Sequence, residues 1–462
     1  MSNKIRIIAA VALCKALHLA ARLLKRGGTA MPGRYALKIC PDLPGTLAKD
    51  VEILVITGTN GKTTSARMAE RAFSLAGLDY LANRSGANLL SGITTEFCRH
   101  STLAGRCRKR FAVIECDEAA ARTALGYLQP KAVLVTNLFR DQLDRYGEVT
   151  HTLENIRLGL EKAPGAVLCL NADCSLTSSL SEDLPNGVIR YGLEAGAASP
   201  GEEPSALSDA ARCIRCKAAY EYAYVTYGHL GGFRCPSCGY ARCGADVAVT
   251  AVDALDPDSS TVTLSAYGGA ARTVTVNLPA LYNIYNAAGA IAAVTQMGVS
   301  LDTAVEAAAS FHCGFGRMEK FDLGAAGTRV LLVKNPAGCD QALHFLETVS
   351  GPVEIALLLN DNDADGTDVS WIWDADFEAL AGLGERLRRV AVSGKRAWDL
   401  FLRLKYAGLD PGLITVERDY AALTRRLAAA ENPVFVLPTY TALLEFRPHL
   451  LRKCGGSDFW EG

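Results

Sequence analysis

The stretch Val51-Glu-Ile-Leu-Val-Ile-Thr57 is an apolar strand that runs straight into Gly58-Thr59-Asn60-Gly61-Lys62-Thr63-Thr64 and then into the helix-like Ala66-Arg-Met-Ala-Glu-Arg-Ala72. Strand, glycine turn and helix in that order make a phosphate-binding element. Glycine lets backbone N–H groups touch phosphate oxygens, a helix N-terminus adds donors, a lysine adds a cation and a hydroxyl adds a ligand for Mg²⁺. Gly58 and Gly61, Lys62, and Thr63 meet those needs in order. The general pattern wants a further glycine five residues before Gly61 and finds Ile56, so the loop is a shortened variant. ATP and Mg²⁺ are the cofactors such a loop predicts.

At 462 residues the chain has room for about three domains. With 48 Lys and Arg against 49 Asp and Glu, nothing in its charge suggests a polyanion, and nucleic acid is not favoured as a partner. Fifteen cysteines spread through an α/β-looking chain without a convincing secretory signal point to the reducing cytosol. Ile5 to Leu24 is apolar, but Lys15, His18 and Arg22 interrupt it and argue against a membrane span. What remains is a basic amphipathic helix, with Leu13, Leu17, Ala20, Ala21 and Leu24 at helical spacing, that packs on the body or rests on a lipid surface. Packing is the favoured reading. The expected location is the cytoplasm, at most peripheral at the inner face of the membrane.

Downstream, strands near 111–115, 132–136 and 166–170 alternate with stretches of helical period, which reads as a doubly wound parallel sheet. Ligands in such sheets sit at the carboxyl ends of strands, where Thr63, the run Glu115-Cys-Asp117-Glu118, and Asn137 through Asp144 all fall. A carboxylate there can hold Mg²⁺ beside phosphates, and Glu115 is the first choice, with Thr63 as its companion ligand.

Cys213-Ile-Arg-Cys216 and Cys235-Pro-Ser-Cys238 are two CxxC knuckles with eighteen residues between them. That spacing suits Zn²⁺ in a closed, all-sulfur, structural site. The small and polar stretch 196–209 reads as a linker into an inserted ribbon at about 205–244. Short β-rich runs follow (Val247–Val252, Thr261–Ser265, Arg272–Asn277), then Leu281-Tyr-Asn283-Ile-Tyr-Asn286, whose two asparagines share a helix face. They read either as readers of an adenine edge or as helix-end residues. Arg317 follows flexible glycines, and a new α/β pattern begins beyond it. The domain organisation expected is therefore 1–44 as helix and connector, 45–312 as ATP-binding domain with the ribbon inserted, and 313–462 as a second α/β domain.

The ordered set Gly58–Thr64, Glu115, Thr136-Asn137, Asp141-Gln142-Leu-Asp144, Asn171-Ala-Asp173, Asn283, Asn286 and Gly316-Arg317-Met-Glu319 resembles the motifs of Mur ligases and folylpolyglutamate synthases. Within that superfamily the four-cysteine ribbon, Asn83-Arg-Ser-Gly-Ala-Asn88, Lys334-Asn-Pro-Ala-Gly338 and Asp365-Gly-Thr-Asp368-Val-Ser-Trp371-Ile-Trp373-Asp374 resemble the MurT family. These are synthetase subunits that work with a GatD-type glutamine amidotransferase to amidate lipid II. The resemblance implies a central Mur ligase-like ATPase domain, with Gly58 to Thr64, Asn283, Asn286 and Arg317 around the nucleotide. It further implies Lys62 and Glu115 in catalysis, and one aspartate of the C-terminal domain completing a triad with the partner's cysteine and histidine. Asp368 is the residue chosen for that role, with Asp365 and Asp374 as rivals.

The departures from Mur ligases are informative too. Those ligases carry a nucleotide-sugar-binding domain before the phosphate loop, where here Lys62 follows only a helix and connector. Their motif histidine is Gln142 in this chain, and no lysine occupies 149–159, which puts a second Mg²⁺ in doubt. The implied reaction is ATP-dependent conversion of the D-glutamate α-carboxylate of lipid II to D-isoglutamine through an acyl phosphate, with ammonia from the partner. Rival readings are a ligase adding an amino acid to a folate or cell-wall peptide, and a non-catalytic ATP-binding scaffold.

Overall fold

The computed structural model describes residues 3–23, 30–84, 87–141, 149–197, 209–312 and 317–455, the side chain of Arg317 excepted. Gln142 and Asp144, most of the linker 196–209, and the Arg317 side chain therefore lie outside the described residues. Two compact units emerge, one from residues up to 139 and 149–311, the other from the described residues of 140–148 and 312–462.

The first unit is built on β1 (Glu52–Thr57), β2 (Tyr80–Ala82), β3 (Phe111–Glu115), β4 (Ala132–Val135), β5 (Val167–Asn171) and β6 (Val188–Leu193). A ribbon of β7 (Glu221–Tyr227) and β8 (Leu230–Arg234) follows, then β9 (Val247–Leu255), β10 (Ser260–Ala266) and β11 (Arg272–Val276). The large sheet has the order β11-β10-β9-β6-β5-β4-β1-β3-β2. From β2 across to β9 every pairing is parallel, as the alternation predicts. Beyond β9 it turns antiparallel. Only Asp256–Ser259 separates β9 from β10, far too short for a crossover helix, so the chain folds straight back. Burial follows the same division: β3 and β4 are buried along their whole length, whereas β10 alternates buried and half-buried residues.

β1 is where the sheet changes direction, since the chain moves to one side for β2 and β3 and to the other for β4, β5 and β6. In the register Ile56 lies opposite Glu115 and Thr57 opposite Val135. The carboxyl ends of β1, β3 and β4 thus finish side by side, which is the ligand-binding crevice of an open α/β sheet.

Helix Asn3–Leu23 packs on the body of this unit through Ile7, Ala10, Val11 and Cys14, all buried. Among the described residues of the face expected from sequence only Ala21 is buried, while Leu13 and Leu17 are half-buried and Ala20 is exposed; Leu24 lies outside the described residues. Lys15 Nζ donates to the Ser101 carbonyl at 2.5 Å. Gly33, in the next helix Met31–Ile39, has no room for a Cβ, which would lie 1.9 Å from the Ser91 carbonyl oxygen. No described helix is long and apolar enough to cross a membrane.

The second unit has β12 (Arg317–Phe321), β13 (Thr328–Leu331), β14 (Val353–Leu358), β15 (Leu387–Ser393), β16 (Ile414–Val416) and β17 (Val434–Pro438), in the order β12-β13-β17-β14-β15-β16. All pairs are parallel except β12 with β13. Its core includes Val330, Leu358, Val434, Val436, Leu443 and Phe446. The aspartate- and tryptophan-rich turn follows the carboxyl end of β14, a central strand of this sheet.

Candidate functional site

Gly58 and Gly61 adopt φ of +115° and +86°, the left-handed region open to glycine. Space enforces the choice as well. A Cβ on Gly58 would lie 2.4 Å from Thr136 Oγ1, and one on Gly61 would lie 2.0 Å from Asn286 Oδ1. The loop is held from β4's end: Asn137 accepts from the Thr59 N–H through its carbonyl at 2.8 Å and from the Asn60 N–H through Oδ1 at 2.9 Å. Its Nδ2 donates back to the Asn60 carbonyl at 3.1 Å. Thr59 Oγ1 accepts from the Phe139 N–H at 3.0 Å. Gly61 then caps helix Lys62–Leu75, whose N-terminus has no side-chain cap. The first N–H groups of a helix have no intrahelical acceptor, so an anion such as a nucleotide phosphate suits this place. Thr63 sits half-buried in the first turn.

Lys62 is buried, and its ammonium donates to Glu118 Oε1 at 2.9 Å and to the Gly58 carbonyl at 2.5 Å. Burial pulls the ammonium's pKa down, but Glu118, Asp117 and Glu115 together outweigh it and hold the group above the usual lysine range. Glu115 is the member of this acidic run that the sequence singles out. The structure also brings in Glu118, the first residue of helix Glu118–Leu128, as the direct partner of Lys62. Helix periodicity gives no sign of that contact, because it depends on β1 and β3 being neighbours.

The acidic run is fixed from Asn83. Its Oδ1 accepts from the Glu115 N–H at 2.9 Å and its Nδ2 donates to the Glu115 carbonyl at 2.7 Å. The Asp117 N–H donates to the Asn88 carbonyl at 3.0 Å, and the Asp117 side chain caps the helix through the Ala119 N–H. Glu115, a hard oxygen donor beside Thr63's helix, and Thr63 itself form a donor set compatible with Mg²⁺.

Asn283 and Asn286 are both buried in helix Leu281–Gln296, with Asn286 Nδ2 donating to Asn283 Oδ1 at 3.3 Å. Asn283 Nδ2 also donates to the Pro279 carbonyl at 2.7 Å. Asn286 abuts Gly61, so the pair stands against the phosphate loop itself. Behind it, Tyr285 donates to Asp173 Oδ2 at 2.5 Å, and Arg242 Nε donates to Asp173 Oδ1 at 2.5 Å. Burial raises the Asp173 carboxyl's pKa and the Arg242 guanidinium opposes it. Arg242 comes from the end of the ribbon, so this buried carboxylate ties ribbon, sheet and helix together. Neither Arg242 nor Tyr285 stands out in the sequence.

In the ribbon, Cys213, Cys216, Cys235 and Cys238 place their four sulfurs within 4.8 Å of one another. Cys213 and Cys238 are 3.6 Å apart and Cys216 and Cys235 3.4 Å. Four sulfurs about 2.3 Å from a central zinc would be about 3.8 Å apart, so the cluster fits a tetrahedral ion after a small adjustment. Cys243 is not a member of the cluster. Tyr220, Phe233 and Tyr240 pack beside the cysteines as a small core of their own.

In the second unit, Asp365 is buried and accepts from the Thr441 N–H at 2.7 Å and from the Thr441 hydroxyl. Burial raises its pKa against those hydrogen bonds. It is a brace between the turn and the helix after β17. Asp374 pairs with Arg140 at 3.3 Å. Asp368 is half-buried, with Oδ1 accepting from the Ser370 N–H at 2.8 Å, and it lines a recess with Arg140, Lys334, Trp371 and Asp374. Lys334 is itself fixed to Asp141 at 2.6 Å.

Residues 56–217 match the model of the Mur ligase middle domain, a family that uses ATP and Mg²⁺, and residues 332–443 match the MurT ligase C-terminal model. The subunit MurT of lipid II isoglutaminyl synthase (glutamine-hydrolyzing) from Streptococcus pneumoniae is 33% identical, over 94% of this chain and 95% of that protein. This chain belongs to the MurT family. The MurT subunit from Staphylococcus aureus (strain COL) is 32% identical over 97% of this chain and 99% of that protein. Among solved structures, MurF from Acinetobacter baumannii superposes with a TM-score of 0.65 at 16% identity, covering 91% of this chain and 80% of that one. A pseudomurein peptide ligase type C from Methanothermus fervidus gives 0.64 at 18% identity, covering 87% and 79%. The MurT-family chain is a ligase with a Mur ligase-like fold.

Proposed function

We propose that this MurT-family chain uses ATP to activate the α-carboxylate of D-glutamate in lipid II, and that ammonia from a GatD-type glutaminase partner converts it to D-isoglutamine. The observation that carries the reading is Lys62: a buried ammonium, ringed by Glu118, Asp117 and Glu115, beside an uncapped helix N-terminus where the sheet changes direction. A free carboxylate is inert to ammonia, so a carboxylate oxygen first attacks the γ-phosphorus and ADP leaves. Ammonia then attacks the acyl carbon, phosphate departs and the adduct loses a proton. Lys62 and the N–H groups of Gly61 to Thr64 offset the charge on the transferred phosphoryl group. Mg²⁺, held by Thr63 and Glu115, would supply further charge stabilisation when bound.

Asn137 keeps the loop in register, Asn283 and Asn286 close it on the nucleotide side, and Arg317 is the remaining phosphate-binding candidate. Asp368 is assigned to the partner's imidazole, which it would orient and keep cationic. Identity of 33% and 32%, over nearly the whole chain, to relatives named as subunits of lipid II isoglutaminyl synthase (glutamine-hydrolyzing) supports this reading over a scaffold role. The test is an amidation assay on lipid II with ATP and glutamine, run with and without the glutaminase subunit. Product only when both proteins and ATP are present is the expected result. ATP hydrolysis that is indifferent to lipid II would overturn the reading.

A further inference from the structure

Ile5, Ile8, Ala12, Ala16, Leu19 and Leu23 recur at intervals of three and four along helix Asn3–Leu23, and all six are exposed. The four large ones are 52%, 44%, 59% and 77% accessible. Ile7, Ala10, Val11 and Cys14 of the same helix are buried against the body. A helix at a soluble surface is ordinarily polar on its outer side, and one that is apolar on both sides needs a second apolar environment.

Charge identifies that environment. The first forty residues hold eight lysines and arginines and not one aspartate or glutamate, although the whole chain balances 48 against 49. Lys4, Arg6 and Arg22 are exposed near the two ends of the stripe. The following helix repeats the composition on its exposed side, with Met31, Arg34, Tyr35 and Lys38. An apolar layer under an anionic layer matches both features at once, and that is the surface of a bilayer containing acidic lipids.

We propose that the Ile5 to Leu23 stripe docks this chain on an anionic membrane surface. The helix lies in the headgroup plane with its apolar stripe in the acyl boundary and Lys4 and Arg22 on lipid phosphates. At a rise of about 1.5 Å per residue it is about 30 Å long, and lying flat puts its whole length in contact. The docking is independent of the ligase assignment.

The test is co-sedimentation of the full chain with vesicles of phosphatidylglycerol and phosphatidylcholine, against vesicles of phosphatidylcholine alone. Binding to the anionic vesicles, weakened by salt, is expected. The double variant Ile8→Gln, Leu19→Gln should lose at least about tenfold in affinity with helix content and ATP binding unchanged. The double variant Lys4→Gln, Arg22→Gln should lose most of the preference for anionic vesicles. Absence of binding by the wild-type chain, or equal binding by the apolar variant, would overturn the proposal. So would a wild-type dimer that the apolar variant converts to monomer, because the stripe would then belong to a second copy. No ATP or amidation substrate enters the vesicle assay, so failure there leaves the ligase reading intact.

Discussion

Lys62 and Glu118 meet at 2.9 Å in a buried ion pair between the first residue of one helix and the first residue of another. The contact puts the cation of the phosphate loop under the control of a carboxylate 56 positions away. Lys62→Ala should abolish ATP-dependent turnover and leave a folded protein. Near-wild-type turnover by that variant would remove the loop from the chemistry.

Glu118→Gln should instead lower stability, because a buried ammonium loses its direct partner. Breaking a buried pair costs about 3–5 kcal/mol, and Glu115 and Asp117 remain nearby, so the loss belongs at the low end of that range. The folded-state pKa of Lys62 is raised, so the pair's contribution is fully present below the ordinary lysine pKa and lost only in strong alkali. Urea unfolding should therefore show the same difference between wild type and variant at pH 6 and at pH 9. A difference that shrank on going to pH 9 would mean that Lys62 titrates below its usual range.

The four-sulfur cluster should carry about one zinc per chain under reducing conditions. Cys216→Ser should lower thermal stability before it touches chemistry, since the ribbon's small core of Tyr220, Phe233 and Tyr240 depends on the same knuckles. Metal analysis that found no zinc in reduced, freshly prepared protein would leave the cysteines as packing residues.

His229 is wholly buried at the turn of the ribbon, with its Nε2 3.4 Å from Cys174 Sγ and its ring against Phe139. Burial lowers its pKa to about 3. The unfolded chain takes up a proton near the usual value of about 6.5 while the folded chain refuses it, so stability is complete above that pH and falls as the pH drops toward 3. The slope this one group adds is about 1.4 kcal/mol per pH unit at most. Replacing it, as in His229→Leu, should flatten the wild-type decline between pH 6 and pH 5 by about that much, measured by urea unfolding at each pH. An identical slope in the two proteins would show that the imidazole ionises in the folded state.

Local patterns carried most of the fold. The strand expected at 111–115 coincides with β3, because a fully buried parallel strand reads as an unbroken apolar run. β2, β6 and β16 are not legible in the sequence: two have three residues, and the third carries Arg190 and is only partly buried. The glycine turn between β1 and helix Lys62–Leu75 was legible because its glycines, lysine and threonine follow one another in sequence. Glu118, Asn137's grip on Asn60, and the Arg242–Asp173–Tyr285 junction were not, since each pairs residues that only the strand order makes neighbours. The acidic turn showed the same limit. Asp365, Asp368 and Asp374 look alike in sequence, and only the hydrogen bonds mark Asp365 as a brace and give Asp374 an arginine.

Of Asp365, Asp368 and Asp374, Asp368 has the lightest structural duties among the described residues. One carboxylate oxygen takes the Ser370 N–H, and the side chain borders a recess with Trp371 and Lys334. Asp368→Asn keeps the shape and a hydrogen-bond acceptor but removes the negative charge that would hold a partner's imidazole cationic. Glutamine-driven amidation should fall by orders of magnitude, by analogy with the loss when a triad carboxylate becomes an amide. Free ammonia, supplied as ammonium salt at alkaline pH, should restore the reaction, because the proposed mechanism gives Asp368 no part in carboxylate activation. Parallel loss of the ammonia-driven rate would move Asp368 into the synthetase site or the fold. If neither rate changed, Asp374→Asn would be the next variant, and its loss of the Arg140 pair would have to be separated from catalysis by measuring stability alongside.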